Sequence, residues 1–420
     1  MLYFILFQAV NINCNIVINQ MKGELQLKLI QFRFKNFRGI DDSGTFDISE
    51  HGITQYTFPK EFLRIILLAI EKIYPNRFFV DDDVITRTRR TKAIIDYIFR
   101  LKESDVRRLE DEFGALEPSF IDAELLISVT WDKIAKKKKL NFNGTVILLL
   151  RDLRKQLRMS MYETYTYLRN QLKNLNLPKL MHRDIFQIVR YSSYLYNTLL
   201  EKKDENLDEE IKNMIELFHM QATVFANLDY KEDVLLSLLP ELIIINPRDL
   251  CNEEKYILPD IVMLPNFLDF EKFFLEYPLL RDLFNIFNIT LDDVLNVRLK
   301  KGINAAVKLL RSKLRSHTPL KISDFYVYFE FHPDDGKLSI LVGHEGSKSK
   351  PLVFSKLSEA DRYTLSLLVK LKSLVKNQDK ERLIVAVNPY MDIRQDLVNI
   401  IQSLYETLAE KNQILQFFSE

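Results

Sequence analysis

Glycine is scarce in this chain, ten in 420 residues against a usual share of about 7%, and loops that cradle phosphate through backbone amides are built from glycine. Cysteine is scarcer still: Cys14 and Cys251 stand far apart with no Cys-x-x-Cys pair, which excludes a disulfide framework and a thiolate zinc site and fits a reducing cytoplasm. Net charge is nearly absent at +1, so any contact with nucleic acid or acidic lipid must come from a local patch. No apolar run approaches the roughly 20 residues of a membrane span. Leu2 to Val10 is short and lacks both the basic flank and the small-residue cleavage site of a secretory signal. No membrane contact is expected, and Met21-Lys22-Gly23 reads as the start, with residues 1–20 a mis-assigned start or a disordered arm. His317, His332 and His344 show no ligand spacing, so no metal is expected. Asp81, Asp82 and Asp83 offer three carboxylates to a Mg²⁺ or Ca²⁺, but consecutive residues do not point at one spot on a helix or a strand, and the favoured expectation is a solvated helix cap.

What the chain does have is apolar residues at 47% and charged ones at 28%, a globular composition long enough for one large or two to three ordinary domains. The most informative stretch is the last one. Leu383 to Val387 is an unbroken apolar run ended by Asn388-Pro389, the pattern of a strand buried on both faces in a parallel sheet. From Met391 to Lys411 apolar residues recur at helical steps, and Asn412 to Phe418 supplies another strand. Upstream, Ser358 is a good N-cap for a helix carrying Leu365, Leu368, Val369 and Leu371.

That order, with Leu357-Ser358 at a helix start, a strand ending in Pro389, a helix, and a strand opening on Gln413, resembles the C-terminal half of ABC-type ATPase heads of the RecF, SMC and OLD group. The phrase Asn36-Phe37-Arg38-Gly39-Ile40 closing a first strand resembles the start of such heads. The resemblance implies an α/β fold, an ABC-ATPase-like (P-loop NTPase) head with a mixed or parallel sheet formed from both chain ends, a β-hairpin arm and a helical insertion. It also implies a set of catalytic positions, and those are changed here. The metal-binding Asp and catalytic Glu of the family fall at Val387 and Asn388, and the switch region falls at Ser419. After Leu357 and Ser358 the signature continues as Glu359, Ala360 and Asp361. One register of GxxxxGK[ST] places Thr54 and Pro59 at the glycines, Lys60 at the lysine and Glu61 at the hydroxyl. Pro59 has no amide hydrogen to offer. A Glu61 carboxylate about 4 Å from a phosphate oxygen costs on the order of 4 kcal/mol at an effective dielectric near 20. Lys60, Glu61, Ser358 and Gln413 are therefore vestigial positions. No cofactor is expected, and ATP with Mg²⁺ only if the motifs are misaligned.

In chain order, Leu25 to Phe34 is a strand with two mixed faces, Thr45 to Ile48 and Ile53 to Thr57 are short strands, and Lys60 to Ile73 is an amphipathic helix. Ile94 to Glu112 is expected to be helical. Ile121 to Trp131 and Lys139 to Leu150 are expected to form a hairpin turning through Lys136, Lys137, Lys138 and Lys139. Those lysines, with Arg89 and Arg90, are the candidate DNA contacts through counterion release; the alternative is a solvated tip that blocks edge pairing. Arg151 to Asp229 has no glycine and reads as about three helices. Its tyrosines and arginines form either a DNA surface or, as aromatics at helical spacing more often do, a core. Phe325 to Phe331 and Lys337 to Val342 form a hairpin.

The expected domains are an N-terminal lobe, residues 21–150, a helical insertion, 151–240, and a C-terminal lobe, 241–420. The expected function is a catalytically degenerate, DNA- or chromosome-associated structural or regulatory protein that forms a homodimer or pairs with an active ATPase or nuclease. The competing expectations are a working ATPase of DNA repair or phage defence, with any nuclease in a separate chain, and a helical scaffold without DNA contact.

Overall fold

The computed structural model describes residues 27–74, 79–80, 83–84, 91–101, 123–200, 208–227, 235–236, 238–246, 250, 256–257, 278–288, 291–316, 319–331, 337–347, 349–377 and 381–420. Arg89, Arg90, Asp81, Asp82, His317, His332, both cysteines and residues 1–20 lie outside these. In chain order the elements begin with β1 (Leu27–Phe37), β2 (Ile40–Asp42), β3 (Phe46–Asp47), β4 (Ile53–Phe58), α1 (Lys60–Glu71), β5 (Lys92–Leu101), β6 (Glu124–Asp132) and β7 (Lys137–Asn143). Three helices follow, α2 (Thr145–Gln171), α3 (Ile185–Leu195) and α4 (Glu209–Asn227), then β8 (Glu241–Ile245), β9 (Tyr256–Ile257), α5 (Pro278–Ile286), α6 (Leu291–Lys301) and α7 (Ile303–Ser316). The chain closes with β10 (Leu320–Ile322), β11 (Phe325–Phe331), β12 (Lys337–His344), β13 (Leu352–Val353), α8 (Glu359–Lys376), β14 (Arg382–Val387), α9 (Val398–Ala409) and β15 (Gln413–Ser419).

The chain divides into two units, with breaks after Glu50, Leu63 and Pro240. The first holds an antiparallel sheet in the order β2-β1-β5-β6-β7, with β3 also on β1. The mixed faces of β1 have a structural cause: the register with β5 shifts between Leu29 and Gln31. A bulge adds one residue and reverses the side-chain alternation. Leu27 and Leu29 are buried before it, Phe32 and Phe34 after it, all at 1% exposure or less. Residues 92–101 form a strand, not the start of the expected helix. Ala93, Ile95, Tyr97, Phe99 and Leu101 alternate into the core, while Ile94 and Ile98 on the other face imitate helical spacing. The glycine-free segment forms α2, α3 and α4 as expected, and it belongs to this unit rather than standing apart. Of its tyrosines Tyr165 is core: it is buried, donates to the Pro178 carbonyl at 2.8 Å, and packs against Tyr191 and Phe218 at 5.8 and 6.0 Å, whereas Tyr194 is exposed.

Asp83 is not the solvated cap expected from the acidic triplet. It is fully buried, with Arg38 Nε at 2.6 Å and Lys72 Nζ at 2.9 Å. The Asn-Phe-Arg phrase thus ends β1 by pairing Arg38 with a buried carboxylate that also receives the end of α1.

The second unit contains a four-stranded sheet, all parallel, in the order β4-β15-β14-β8. Both chain ends contribute to it, as expected, because β4 from the first sixty residues pairs with the final strand. Leu383–Val387 is internal, yet its neighbours are β15 and β8; the first strand, β1, lies in the antiparallel sheet of the other unit. A second antiparallel sheet, β10-β11-β12-β13, carries the hairpin expected at Phe325. The core of this unit joins Ile384 and Ala386 of β14, Leu365, Leu367, Leu368 and Val369 of α8, and Ile401, Tyr405 and Leu408 of α9. The helix expected from Met391 starts later, at Val398, preceded by a turn that buries Ile393 and Leu397.

Candidate functional site

In an open parallel sheet, ligands sit at the carboxyl ends of the strands. Here that edge is formed by Phe58, Ser419 and Val387, and each end is tied to its neighbour. Strand β4 stays in register with β15 to its last residue, with Thr54 opposite Leu415 and Phe58 opposite Ser419. One residue, Pro59, separates it from α1, whose first turn closes with Leu63 N–H donating to the Pro59 carbonyl at 3.0 Å. A phosphate loop needs several residues off the ladder with converging amides. The stretch aligned with that loop, Thr54 to Phe58, is instead spent on the sheet. Aromatic rings fill the junction: Phe58 lies 5.3 Å from Phe62 and 6.0 Å from Phe417, and Tyr56 lies 5.6 Å from Phe58. Lys60 and Glu61 are exposed on the outside of the first helical turn.

Asn388, the position that the resemblance aligns with a catalytic Glu, links the strand ends. Its backbone takes the left-handed conformation at φ 45°, which asparagine tolerates better than most residues. Its N–H donates to the Phe417 carbonyl at 2.7 Å, and its Oδ1 accepts the Ser419 N–H, also at 2.7 Å. Glu420 N–H in turn donates to the Phe58 carbonyl at 3.0 Å. Val387 beside it is buried and offers no ligand atom. Beneath this edge runs a polar chain that the sequence did not signal: Gln55 donates to Gln416 at 2.9 Å, and Gln416, fully buried, donates to the Tyr390 hydroxyl at 3.3 Å. Burial pushes the Tyr390 phenol upward. Gln413 is buried in the first position of β15.

Ser358 caps α8. Its Oγ accepts the Asp361 N–H at 3.1 Å and donates to the Asp361 carboxylate at 2.7 Å, so the hydroxyl proton is engaged within the cap. Arg394 holds the turn before α9 against the same region, with Asp324 at 2.6 Å, Asp361 at 3.6 Å, and its N–H on Thr364 Oγ1 at 2.9 Å. The hydrogen bond to Asp396, then Asp324, raises the guanidinium pKa further. This ring of acids and one arginine is a packing device. Among the described residues no group of His, Cys, Asp or Glu could hold a metal ion, and no helix is long and apolar enough to cross a membrane.

The four lysines do not share one turn. Lys136 ends the turn in a left-handed conformation, and Lys137 to Lys139 are the first residues of β7, the edge strand. Helix α2 then takes over at Thr145, where the second strand was expected to continue. Alternation separates the lysines: Lys137 and Lys139 are exposed on one face, while Lys138 turns the other way to donate to the Tyr74 carbonyl at 3.4 Å. Lys139 stands in one cross-strand row with Thr130, Ile94 and Lys35. Lys137 and Lys139 have no ion-pair partner among the described residues, while Lys35 stands opposite Asp42 and helps hold its carboxyl low. Asp132 holds the turn by accepting the Ile134 and Ala135 N–H groups at 3.0 and 3.1 Å; these bonds and Lys92 keep its carboxyl below the usual range. Arg89 and Arg90 cannot be placed on this face, since they lie outside the described residues.

One buried hydroxyl in the second unit is unused. Tyr405 on α9 is fully buried and its OH has no hydrogen-bond partner among the described residues. Tyr405→Phe is expected to stabilise the protein by about 1–2 kcal/mol, because it removes an unsatisfied polar group without leaving a cavity. Burial holds this phenol far above its ordinary range, whereas the unfolded chain ionises near pH 10. The stability linked to it is complete below pH 10 and falls as pH rises beyond that. Urea unfolding at pH 8 and pH 11 should show the variant gaining most at the higher pH.

No family model matches the sequence, and no curated protein matches it. In fold the chain is α/β and similar to ATPase heads of the SMC and RecF type. An SMC head bound to the C-winged helix domain of ScpA is 10% identical, with 93% of this chain and 89% of that one covered and a TM-score of 0.41. The SMC head domain from Thermotoga maritima is 10% identical over 94% and 89%, TM-score 0.36. RecF with ATP, a recombination mediator of the RecFOR pathway, is 11% identical over 94% of both chains, TM-score 0.33.

Proposed function

We propose that this chain is a head-type protein that has given up nucleotide hydrolysis and serves as a DNA- or chromosome-associated structural or regulatory factor, paired with a second copy or with an active partner. The observation that carries the first half is the junction Phe58-Pro59-Lys60. Strand passes into helix through one residue that lacks an amide hydrogen, in a setting filled by aromatic rings. Asn388 supports it, because its side-chain carbonyl is occupied by a backbone N–H where the family's glutamate polarises water. The nucleotide end is closed by the chain's own hydrogen bonds. The association with DNA is supported by the exposed Lys137 and Lys139 on the edge strand and by Lys35 in the same row.

Two measurements test this. Phosphate release with Mg²⁺ and ATP is expected to stay at the buffer rate and to be the same for Lys60→Ala; turnover that vanishes in that variant establishes the working-ATPase reading instead. Binding of a labelled 30-base-pair duplex at 50 mM salt is expected to weaken as salt rises. Reversing both exposed lysines, Lys137→Glu with Lys139→Glu, should flatten the log–log salt slope by about 2, near 0.9 per lost phosphate contact. No duplex binding at low salt leaves the scaffold reading.

A further inference from the structure

A groove of about 540 Å³ opens on the helical segment of the first unit. Leu177 and Pro178 form one wall, and Gln187, Arg190, Tyr191 and Tyr194, one face of α3, form the other. The groove is preformed. Two side chains of α2 hold the first wall from behind, Arg169 Nε on the Leu177 carbonyl at 3.0 Å and the Tyr165 hydroxyl on the Pro178 carbonyl at 2.8 Å. Asn176 turns the chain through the left-handed region at φ 46°. A surface that is already ordered loses little entropy on binding.

Its charge is one-sided in a chain whose net charge is +1. Lys173, Lys179, Arg183 and Arg190 are all exposed, and none has an ion-pair partner among the described residues. The one acid in this stretch, Asp184, is engaged in accepting the Met181 N–H at 2.9 Å. Large apolar side chains stand among the cations, with Phe186 74% exposed, Met181 51% and Tyr194 48%. Tyrosine, arginine, methionine and phenylalanine around an apolar slot are the composition of a protein-binding hot spot. Nucleic acid fits less well. Stacking platforms need open ring faces, yet Tyr191 and Tyr194 meet edge-on at 88° and Tyr191 is packed against Tyr165; the opposite wall is leucine and proline.

We infer that this groove docks an acidic peptide segment of a partner protein, with one apolar side chain seated between Pro178 and the Tyr191–Tyr194 pair and flanking carboxylates on Lys179, Arg183 and Arg190. This stands independently of the reading of the nucleotide end.

The test is selection of a displayed library of random twelve-residue peptides on the full chain, followed by fluorescence anisotropy with the most enriched peptide, labelled with fluorescein. Enriched sequences are expected to combine several Asp or Glu with an aromatic or leucine. Affinity should fall at least tenfold in Arg190→Glu with Lys179→Glu, and in Tyr194→Ala, at unchanged melting temperature. It should also fall between 50 and 500 mM salt in the native chain and much less in the charge-reversed one. A selection that enriches no acidic sequence overturns the inference, as do acidic peptides that bind the charge-reversed chain equally well. A labelled 20-nucleotide oligo-dT that binds the native chain and not the charge-reversed one, where no peptide binds, overturns it in favour of nucleic acid.

Discussion

Asp83→Ala is expected to cost about 3–5 kcal/mol. The carboxylate is fully buried and shared between Arg38 at 2.6 Å and Lys72 at 2.9 Å, and its Oδ2 also accepts the Val80 N–H at 2.9 Å. Removing it leaves Lys72, 5% exposed, as a buried cation without its carboxylate. Breaking one side of a buried pair costs far more than the pair contributes, because the remaining charge keeps its desolvation penalty. For a unit of this size the melting temperature should drop on the order of 10 °C. The double variant Asp83→Ala with Lys72→Met should recover part of that loss, since it removes the buried cation as well. A single variant that melts within a degree or two of the native chain contradicts this account. The expectation also assigns a role to the Asn-Phe-Arg phrase: Arg38 anchors the end of β1 by pairing with Asp83.

Gly144→Ala is expected to cost at least about 3 kcal/mol, for two separate reasons. Gly144 precedes α2 with φ 118° and ψ 175°, a region that is essentially glycine's alone. A Cβ there would also meet the Glu124 carbonyl oxygen at 2.2 Å and the Leu125 Cα at 3.3 Å. Those atoms are backbone of β6, so the neighbour cannot yield by rotating a side chain. The approach is held from the other direction as well, since Glu124 N–H donates to Thr145 Oγ1 at 2.8 Å. The variant must separate the start of α2 from the start of β6. Chemical denaturation should show a lower midpoint, and Gly346→Ala, with positive φ but open space around it, gives the comparison. If the two variants lose the same amount, backbone strain alone explains both and the close approach contributes nothing.

Much of the second unit was legible before any coordinates. Local signals were strong there: an unbroken apolar run for β14, a Ser358 cap for α8, and alternation around a turn for β11 and β12. Less of the site was legible, for a geometric reason. Whether Thr54 to Phe58 forms a loop or a ladder depends on β15, more than 350 residues away in sequence, and nothing local announces that partner. Asn388 could be named as the replacement of a carboxylate, but its hydrogen bond to Ser419 exists only because two strands end side by side.

The first unit was misread where two periodicities overlap. Lys92 to Leu101 carries apolar residues on both faces, so steps of two and steps of three or four both find matches, and the pairing of β5 with β1 and β6 decides between them. The bulge in β1 belongs to the same class, because one inserted residue is invisible until the opposite strand is in place. So the sequence by itself determined which segments are apolar enough to be buried and where helices begin, since these rest on residue identity and near-neighbour spacing. Tertiary structure alone decided that Asp83 is buried, that Lys138 turns away from Lys137 and Lys139, and that the ends of β4, β15 and β14 are tied together by Asn388 and Glu420. Each of these depends on which distant backbone lies opposite, and pairing energy is gained only after the chain has brought those distant segments together.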